Sequence, residues 1–216
     1  MNTYLKFQFY FIVFLSIFNC ASFQPASPDS AMLIVETDIS IHDDSKSNLP
    51  IQGYFKDLKI KNFHMNDYSY LVQSVQNNNY LFYQNIKPSK YFLDEGYIPV
   101  SSRGMIRFSF TAYYNEKKSK KIERLPSGAV KYFYDPNLMK KYYNEIYNDV
   151  DSGIITFMGK YKIDIYIIEN KIQKIVMNFS KEKKDIIKAL NFIANNYPES
   201  QWSNKAKEQL ILIEDI

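Results

Sequence analysis

The stretch YLFYQNIKPSKYFLDEG, Tyr80 to Gly96, holds two apolar segments that lie one short turn apart. The first is YLFYQNI, and the second continues as KYFLDEGYI to Ile98. Both are rich in tyrosine, phenylalanine and branched residues, which favour the half-buried surface of a pleated sheet. Each also has the length of an ordinary strand. The stretch therefore predicts a strand, a turn and a second strand.

Further strand-like segments lie on both sides of this unit at turn-separated spacing. DLKIKNF, Asp57 to Phe63, and GMIRFSFTAYY, Gly104 to Tyr114, alternate apolar and polar residues, as strands with one buried face do. The others are AMLIVETDISI (31–41), YSYLVQSV (68–75), IITFMGKYKIDIYII (154–168) and, after a turn at 169–170, KIQKIVMNF (171–179). Regularly spaced short strands, in a chain with 19 Tyr and 16 Phe, predict a mainly β fold, an antiparallel β-sandwich over residues 31–179.

One helix is expected within the sheet region. Asp135 followed by Pro136 is an N-cap with proline at the first helical position. Apolar residues then repeat at helical spacing as far as Val150, and Gly153 follows. This pattern predicts one helix inserted between strands.

The last part of the chain has helical periodicity throughout. Apolar residues from Ile186 to Tyr197 follow helical spacing, Pro198 ends this helix, and Ser200 is suited to cap a second one that contains Trp202. We expect a C-terminal α-helical hairpin over residues 180–216. Its apolar faces would cover one another and the sheet.

Two phrases resemble known families. NIKPSKY, residues 85–91, is similar to the "nLpPGkYxL" phrase of transthyretin-like and carboxypeptidase-regulatory-like sandwiches, with Ser89 where glycine is usual. GIITFMGKYKIDI resembles a later strand pair of that group, which includes exported bacterial lipoproteins of unassigned function. NNYPESQWSNKAKEQL, residues 195–210, is similar to the helix joint of tetratricopeptide-like hairpins. Because stable arrays need at least three such units, we interpret this single one as a packing appendage.

The N-terminus has the pattern of an export signal. Lys6 is followed by a mostly apolar run from Phe7 to Phe18, which stops at Asn19. A membrane-spanning helix needs about 20 apolar residues, so this run is better explained as the apolar region of a signal peptide over residues 1–19.

The only cysteine, Cys20, follows directly. Ile17-Phe18-Asn19-Cys20 resembles a bacterial lipobox of the relaxed, spirochaetal type, in which the cysteine is acylated and becomes the first residue of the mature protein. The resemblance implies lipidation of Cys20, with palmitate among the acyl chains, and two or three chains give a durable anchor. The alternative is that Cys20 is an incidental signal-peptide residue. Residues 20–30, small, polar and proline-bearing, are expected to form a flexible tether.

Few residues suggest catalysis. The histidines are His42 and His64, and His42 with the two aspartates that follow it is the nearest approach to a site. We interpret His42 as an exposed loop residue. NDVDSG, residues 148–153, has the start of a calcium loop but not its remaining ligands, and a helix that ends at Gly153 explains it more simply. We expect no catalytic residue, no metal and no cofactor.

Charge and composition restrict the partners. The net charge of +4 falls to +3 without Lys6, which is too small to indicate a nucleic-acid partner. A basic run at residues 117–121 is best explained as the solvated tip of a hairpin. We expect a membrane-anchored, non-enzymatic lipoprotein of the bacterial envelope, at the outer rather than the inner membrane, that binds a protein or glycan. The alternatives are a structural or envelope-assembly subunit that docks through the helical hairpin, and an exported enzyme with a carboxylate-based site.

Overall fold

The computed structural model describes residues 23–44, 49–62, 71, 75–77, 79–100, 104–110, 112–113, 119–124, 130–134, 147–169 and 171–214. Within them the fold is mainly β, with two helices at the C-terminal end, so the predicted fold class is confirmed. The strands are β1 (Ala31–Asp43), β2 (Ile51–Gly53), β3 (Asp57–Asn62), β4 (Val75–Asn77), β5 (Tyr80–Ile86), β6 (Ser89–Val100), β7 (Gly104–Ser109), β8 (Ser119–Arg124), β9 (Val130–Tyr134), β10 (Tyr147–Val150), β11 (Ile155–Ile168) and β12 (Lys171–Ser180). The helices are α1 (Lys183–Asn196) and α2 (Gln201–Glu214).

The first sheet has the strand order β12-β11-β1-β5-β4, and β2 pairs with the second half of β1. At its centre β1 and β11 run parallel, from the pair Met32 and Ile155 to the pair Asp43 and Ile167. This pair departs from the antiparallel arrangement that we expected throughout. Parallel neighbours need a long crossover connection, and here the second sheet lies between β1 and β11 in the chain.

The second sheet has the order β10-β6-β3, and β7 also pairs with β6. Strand β3 pairs with one edge of β6, and β10 and β7 both pair with the other edge. This follows because the β6 residues that pair with β10 and β7 include residues that also pair with β3, and one edge cannot hold two strands at the same position. The predicted strand, turn and strand at residues 80–98 are confirmed. However, the turn at Lys87 and Pro88 is a corner between the two sheets, since β5 belongs to the first sheet and β6 to the second.

Three local predictions need correction. Tyr147–Val150, expected near the end of the inserted helix, forms a strand that pairs with residues 89–92 of β6; residues 135–146 lie outside the described residues. The strand that begins at Gly104 ends at Ser109, and Phe110, Ala112 and Tyr113 are helical. The basic run was expected at a hairpin tip, but its residues from Ser119 onward belong to strand β8.

The hydrophobic core consists of two clusters. The first lies between the two sheets and includes Leu33, Val35, Leu81, Tyr83, Leu93, Phe110, Tyr161 and Ile163. The opposite face of the first sheet carries Met32, Ile34, Phe82 and Phe157, which pack against Ala189, Leu190, Ile193, Trp202 and Ala206 of the helices. The helical hairpin therefore covers the sheet, as predicted, and forms a third layer with its own core.

Local sequence features position these helices. At the start of α1, the Glu182 and Asp185 side chains form a capping box. At the start of α2, the Ser200 hydroxyl accepts a hydrogen bond from the Trp202 backbone N–H at 3.1 Å, so the predicted cap is confirmed.

In β11, Gly159 has φ 142° and lies under the Phe179 ring of β12, where a side chain would collide with that ring.

The segment that precedes β1 packs on the fold. Phe23 is 5% exposed, and its ring stacks on Tyr197 with 3.9 Å between ring centroids. The Ala26 backbone N–H donates to Asn85 at 2.6 Å, and the Lys205 ammonium donates to the Pro28 carbonyl at 2.8 Å. The prediction of a flexible tether is therefore wrong for residues 23–30.

Several predictions fall outside the described residues: the signal peptide at 1–19, Cys20, His64 and most of the segment 68–75. Among the described helices, none has both the length and the apolar character that crossing a bilayer requires.

Candidate functional site

The fold has two ends along β1 and β11, which run side by side from the pair Met32 and Ile155 to the pair Asp43 and Ile167. A 13-residue strand spans about 40 Å. We call the end with Phe23, Asn85 and Tyr197 the proximal end, since these residues contact one another or the same segment. We call the end with Asp44 and Ile168, where β1 and β11 finish, the distal end.

A cavity of about 230 Å³ opens at the distal end. His42 and Tyr166 lie side by side there, on paired positions of β1 and β11, and their rings stack with 4.5 Å between centroids. The His42 ring donates from Nε2 to Asp164 Oδ1 at 3.2 Å. Leu49, which is 76% exposed, and Ile168 complete the apolar part of the lining.

The structure corrects the prediction for His42. This residue lies within β1 and not in a loop, and its carboxylate partner is Asp164, 122 positions away, rather than either of the adjacent aspartates. Among the described residues no hydroxyl or thiol hydrogen-bonds to His42. The arrangement is that of an oriented imidazole beside an acid, without the adjacent nucleophile of a catalytic triad.

A second group of charges lies between the first sheet and α1. Glu36 is 1% exposed, and its Oε1 accepts hydrogen bonds from Lys160 at 3.0 Å and from Lys188 of α1 at 3.1 Å. Burial, followed by the negative charge of Glu36, raises the pKa of Tyr80 well above its ordinary value. This network fixes α1 on the sheet, because a buried carboxylate requires its cationic partners.

A third group occupies the outer face of the second sheet. Glu95 is 5% exposed and accepts from Lys59 at 2.8 Å, from Tyr97 at 3.1 Å and from Arg107. Burial acts to raise the pKa of Glu95, but the hydrogen bonds from Lys59, Arg107 and Tyr97 outweigh it and hold the pKa below its ordinary value. The group joins β3, β6 and β7.

A groove runs along one open side of the sandwich. It is a cavity of about 340 Å³ between the end of β7 and the start of β12, with Phe108 and Tyr113 on one side and residues 172–175 on the other. Ile172 is 43% exposed within this lining. The groove therefore combines an apolar wall with the edge of a strand.

Large exposed apolar residues lie in two main places. Leu49, Ile51, Ile168 and Ile172, between 42% and 76% exposed, lie at or near the distal end. Ile211 and Leu212 of α2 are 61% and 65% exposed. Exposed apolar surface is a feature of interaction sites, so both places are candidate contact regions.

The remaining predicted positions form no ligand site. Asp149 is 78% exposed and lies 3.9 Å from the Lys90 ammonium, and Asp151 is exposed. Within the described ranges, no three His, Cys, Asp or Glu side chains are grouped as a metal ion would require.

Comparison with known proteins finds no match among family models, curated proteins or solved structures.

Sequence reasoning missed the groups around Glu36 and Glu95. A signal existed for the first, because Glu36 directly follows the apolar run AMLIV, residues 31–35, within the predicted strand at 31–41. A buried carboxylate in such a strand requires cationic partners, although the sequence does not show which lysines provide them. The groove had no sequence signal, since its two walls come from separate sheets.

Proposed function

We propose that this protein is a lipid-anchored, non-enzymatic binding protein of the bacterial envelope, held at the outer membrane by acylated Cys20. The observation that carries the proposal is the position of Cys20, the only cysteine in the sequence, directly after the apolar run that ends at Phe18 and Asn19. Phe23, three residues later, is packed at the proximal end. Three extended residues span about 10 Å. An acyl group on Cys20 would therefore hold the proximal end close to the bilayer.

With the anchor at Cys20, the distal end would be the part of the fold farther from the bilayer. Phe23 contacts Phe82, which pairs with Ile34, and the distal cavity is lined by His42, eight residues or about 26 Å further along β1. The exposed apolar residues Leu49 and Ile168 are found at that end. A partner in the aqueous phase would reach this end without steric interference from the bilayer.

The side-chain chemistry supports binding rather than catalysis. His42 is oriented by Asp164, but its described contacts include no nucleophile. The buried carboxylates Glu36 and Glu95 are both neutralised by cations, and each joins structural elements. Despite burial, hydrogen bonds from Lys59, Arg107 and Tyr97 hold the pKa of Glu95 below its ordinary value, whereas a general acid near neutral pH requires a raised pKa.

A second candidate function is an envelope-assembly subunit that docks through the helical hairpin. The exposed pair Ile211 and Leu212 favours it, since both side chains point away from the core that α2 shares with the sheet. The remaining apolar side of the hairpin covers Met32 and Phe82. Removal of residues 180–216 would therefore unfold the protein, and only surface substitutions on α2 test this docking.

The experiment for the anchor is incorporation of labelled palmitate in bacteria that express the wild type, Cys20→Ala and Asn19→Ala. We expect label in the wild type and none in Cys20→Ala, which has no thiol. Asn19→Ala is the matched control: a small residue before the cysteine fits the lipobox better, so labelling should persist or increase. Equal labelling of the wild type and Cys20→Ala would contradict the proposal.

A further inference from the structure

The outer edge of β12 has an open pairing surface. On one side β12 pairs with β11, and no described strand pairs with its other side. An edge strand presents backbone N–H and C=O groups with which another extended chain can form a ladder. The groove beside Ile172 and Ile175 lies along this same edge.

Tyr113 shows which backbone groups point outward. Its hydroxyl accepts from the Met177 N–H at 2.9 Å and donates to the Met177 carbonyl at 3.4 Å, so both groups point away from β11. In an antiparallel pair, alternate residues direct these groups the same way. Ile175 therefore also directs its N–H and C=O outward. Tyr113 closes the edge at Met177 and leaves the part from Lys171 to Ile175 accessible.

The side chains of this part differ between the two faces. Ile175 packs against the core between the sheets, and Ile172 pairs with the buried Ile167, so both lie on the inner face. Lys174 pairs with Tyr166 and its ammonium lies 5.9 Å from that ring, on the opposite face. Lys171 pairs with Ile168 on this opposite face as well.

The charges of this edge are all positive. Within the described part of the chain, neither Lys171 nor Lys174 forms an ion pair with a carboxylate. Arg107 also lines the groove on the β7 side, but its guanidinium is ion-paired with Glu95, so the unpaired positive charge comes from the two lysines. A strand added here would meet apolar side chains on one face and lysines on the other. The β11–β12 register shifts by one residue at Gln173, and this shift places Ile172 and Ile175 on one face and Lys171 and Lys174 on the opposite face.

We propose that the groove binds an extended peptide with alternating apolar and acidic side chains, as a strand added to β12 between Lys171 and Ile175. Main-chain hydrogen bonds provide affinity in this mode, and the alternating side chains provide specificity. The inference rests on the proposed binding function and defines the partner as a protein segment. It does not depend on the lipid anchor.

A second copy of this chain fits the edge less well. Pairing of β12 with β12 of another copy would bring Lys171 and Lys174 of both strands onto one sheet, and like charges that face each other across strands are destabilising. Tyr113 would also block pairing at Met177 in both copies.

The test uses the purified full chain in detergent micelles and the fluorescein-labelled peptide EVEVEVE, with binding followed by fluorescence anisotropy. We expect saturable binding that weakens at least tenfold when the valine nitrogens are methylated, because methylation removes the backbone donors of the added strand. Absence of saturable binding, or equal affinity for the methylated peptide, would overturn the proposal.

Three single substitutions locate the peptide. Lys174→Glu should weaken binding about fivefold, whereas Lys162→Glu, the same charge change at an exposed position of β11, should leave it unchanged. Equal weakening by both would mean general charge attraction and would refute the assignment. Tyr113→Phe should tighten binding, because it releases the Met177 backbone groups.

Light scattering on the same samples tests the second copy. We expect the same molar mass for the wild type and for Lys174→Glu at every protein concentration. If the protein instead forms concentration-dependent dimers and does not bind the peptide, the peptide assignment is refuted. Failure of the palmitate experiment, in contrast, would refute the anchor and leave these peptide measurements unaffected.

Discussion

Replacement of Phe23 by alanine tests whether the segment after Cys20 belongs to the fold. The Phe23 ring is 5% exposed, stacks on Tyr197 and meets the Phe82 ring edge-on at 5.4 Å between centroids. Burial of a phenylalanine is worth about 1.5–3 kcal/mol, and an aromatic pair adds about 0.5–1.5 kcal/mol. We expect Phe23→Ala to lower the free energy of unfolding by about 2–4 kcal/mol.

The assay is urea unfolding of the full chain in detergent, followed by the fluorescence of Trp202. This tryptophan is the only one in the chain and is fully buried close to the segment, where the neighbouring Ser200 hydroxyl donates to the Phe23 carbonyl. Phe92→Ala is the matched control. Phe92 is half-buried and stacks on Tyr147 with 5.1 Å between centroids, so its loss should cost less, about 1 kcal/mol.

Amide hydrogen exchange of Gly153 provides a local measure. The Gly153 N–H donates to the Asp29 carbonyl at 3.1 Å, so it is protected only while the segment is in place. Phe23→Ala should increase its exchange rate, whereas Phe92→Ala should not. A loss of stability below about 0.5 kcal/mol with unchanged exchange at Gly153 would refute the packed segment, and with it the short distance between Cys20 and the fold.

Two further predictions concern the charged face and the hairpin. Because the folded-state pKa of Glu95 lies below its ordinary value of 4.5, its stabilising contribution is complete above that pH and is lost as the pH falls through the folded-state pKa. Acid titration of stability should therefore be shallower for Glu95→Gln than for the wild type, and parallel curves would contradict the network. Ile193→Ala, at a fully buried position of α1, should lower the free energy of unfolding by about 2–5 kcal/mol, whereas Ile211→Ala should change it by no more than about 0.5 kcal/mol. The measurement is urea unfolding of both variants. Similar losses of stability would mean that the hairpin is not a core layer.

The helix predicted up to Gly153 shows where local pattern fails. Residues 147–150 fit a helical repeat, yet they form β10, because the edge of β6 provides backbone partners at residues 89–92. Val150 is 3% exposed in β10, and an apolar residue at this position also fits a helical repeat, so its apolar character does not distinguish the two conformations. Tertiary pairing therefore overrides a weak periodic signal at this position.

The sequence by itself determined the strands at 80–86 and 155–168, both C-terminal helices and the cap at Ser200. These features depend on local periodicity and on interactions within a few residues. The candidate anchor at Cys20 also comes from the sequence alone. Each of these predictions needed only the neighbouring residues.

Only the tertiary structure decided which elements meet. It made the turn at Lys87 and Pro88 a corner between sheets, packed Phe23 against Tyr197, and left a groove between β7 and β12. The partners in these arrangements lie far apart in the chain. Phe23 and Tyr197, for example, are 174 positions apart (197 minus 23). Contacts over such separations arise from burial and strand pairing in the whole fold, and no local sequence pattern encodes them.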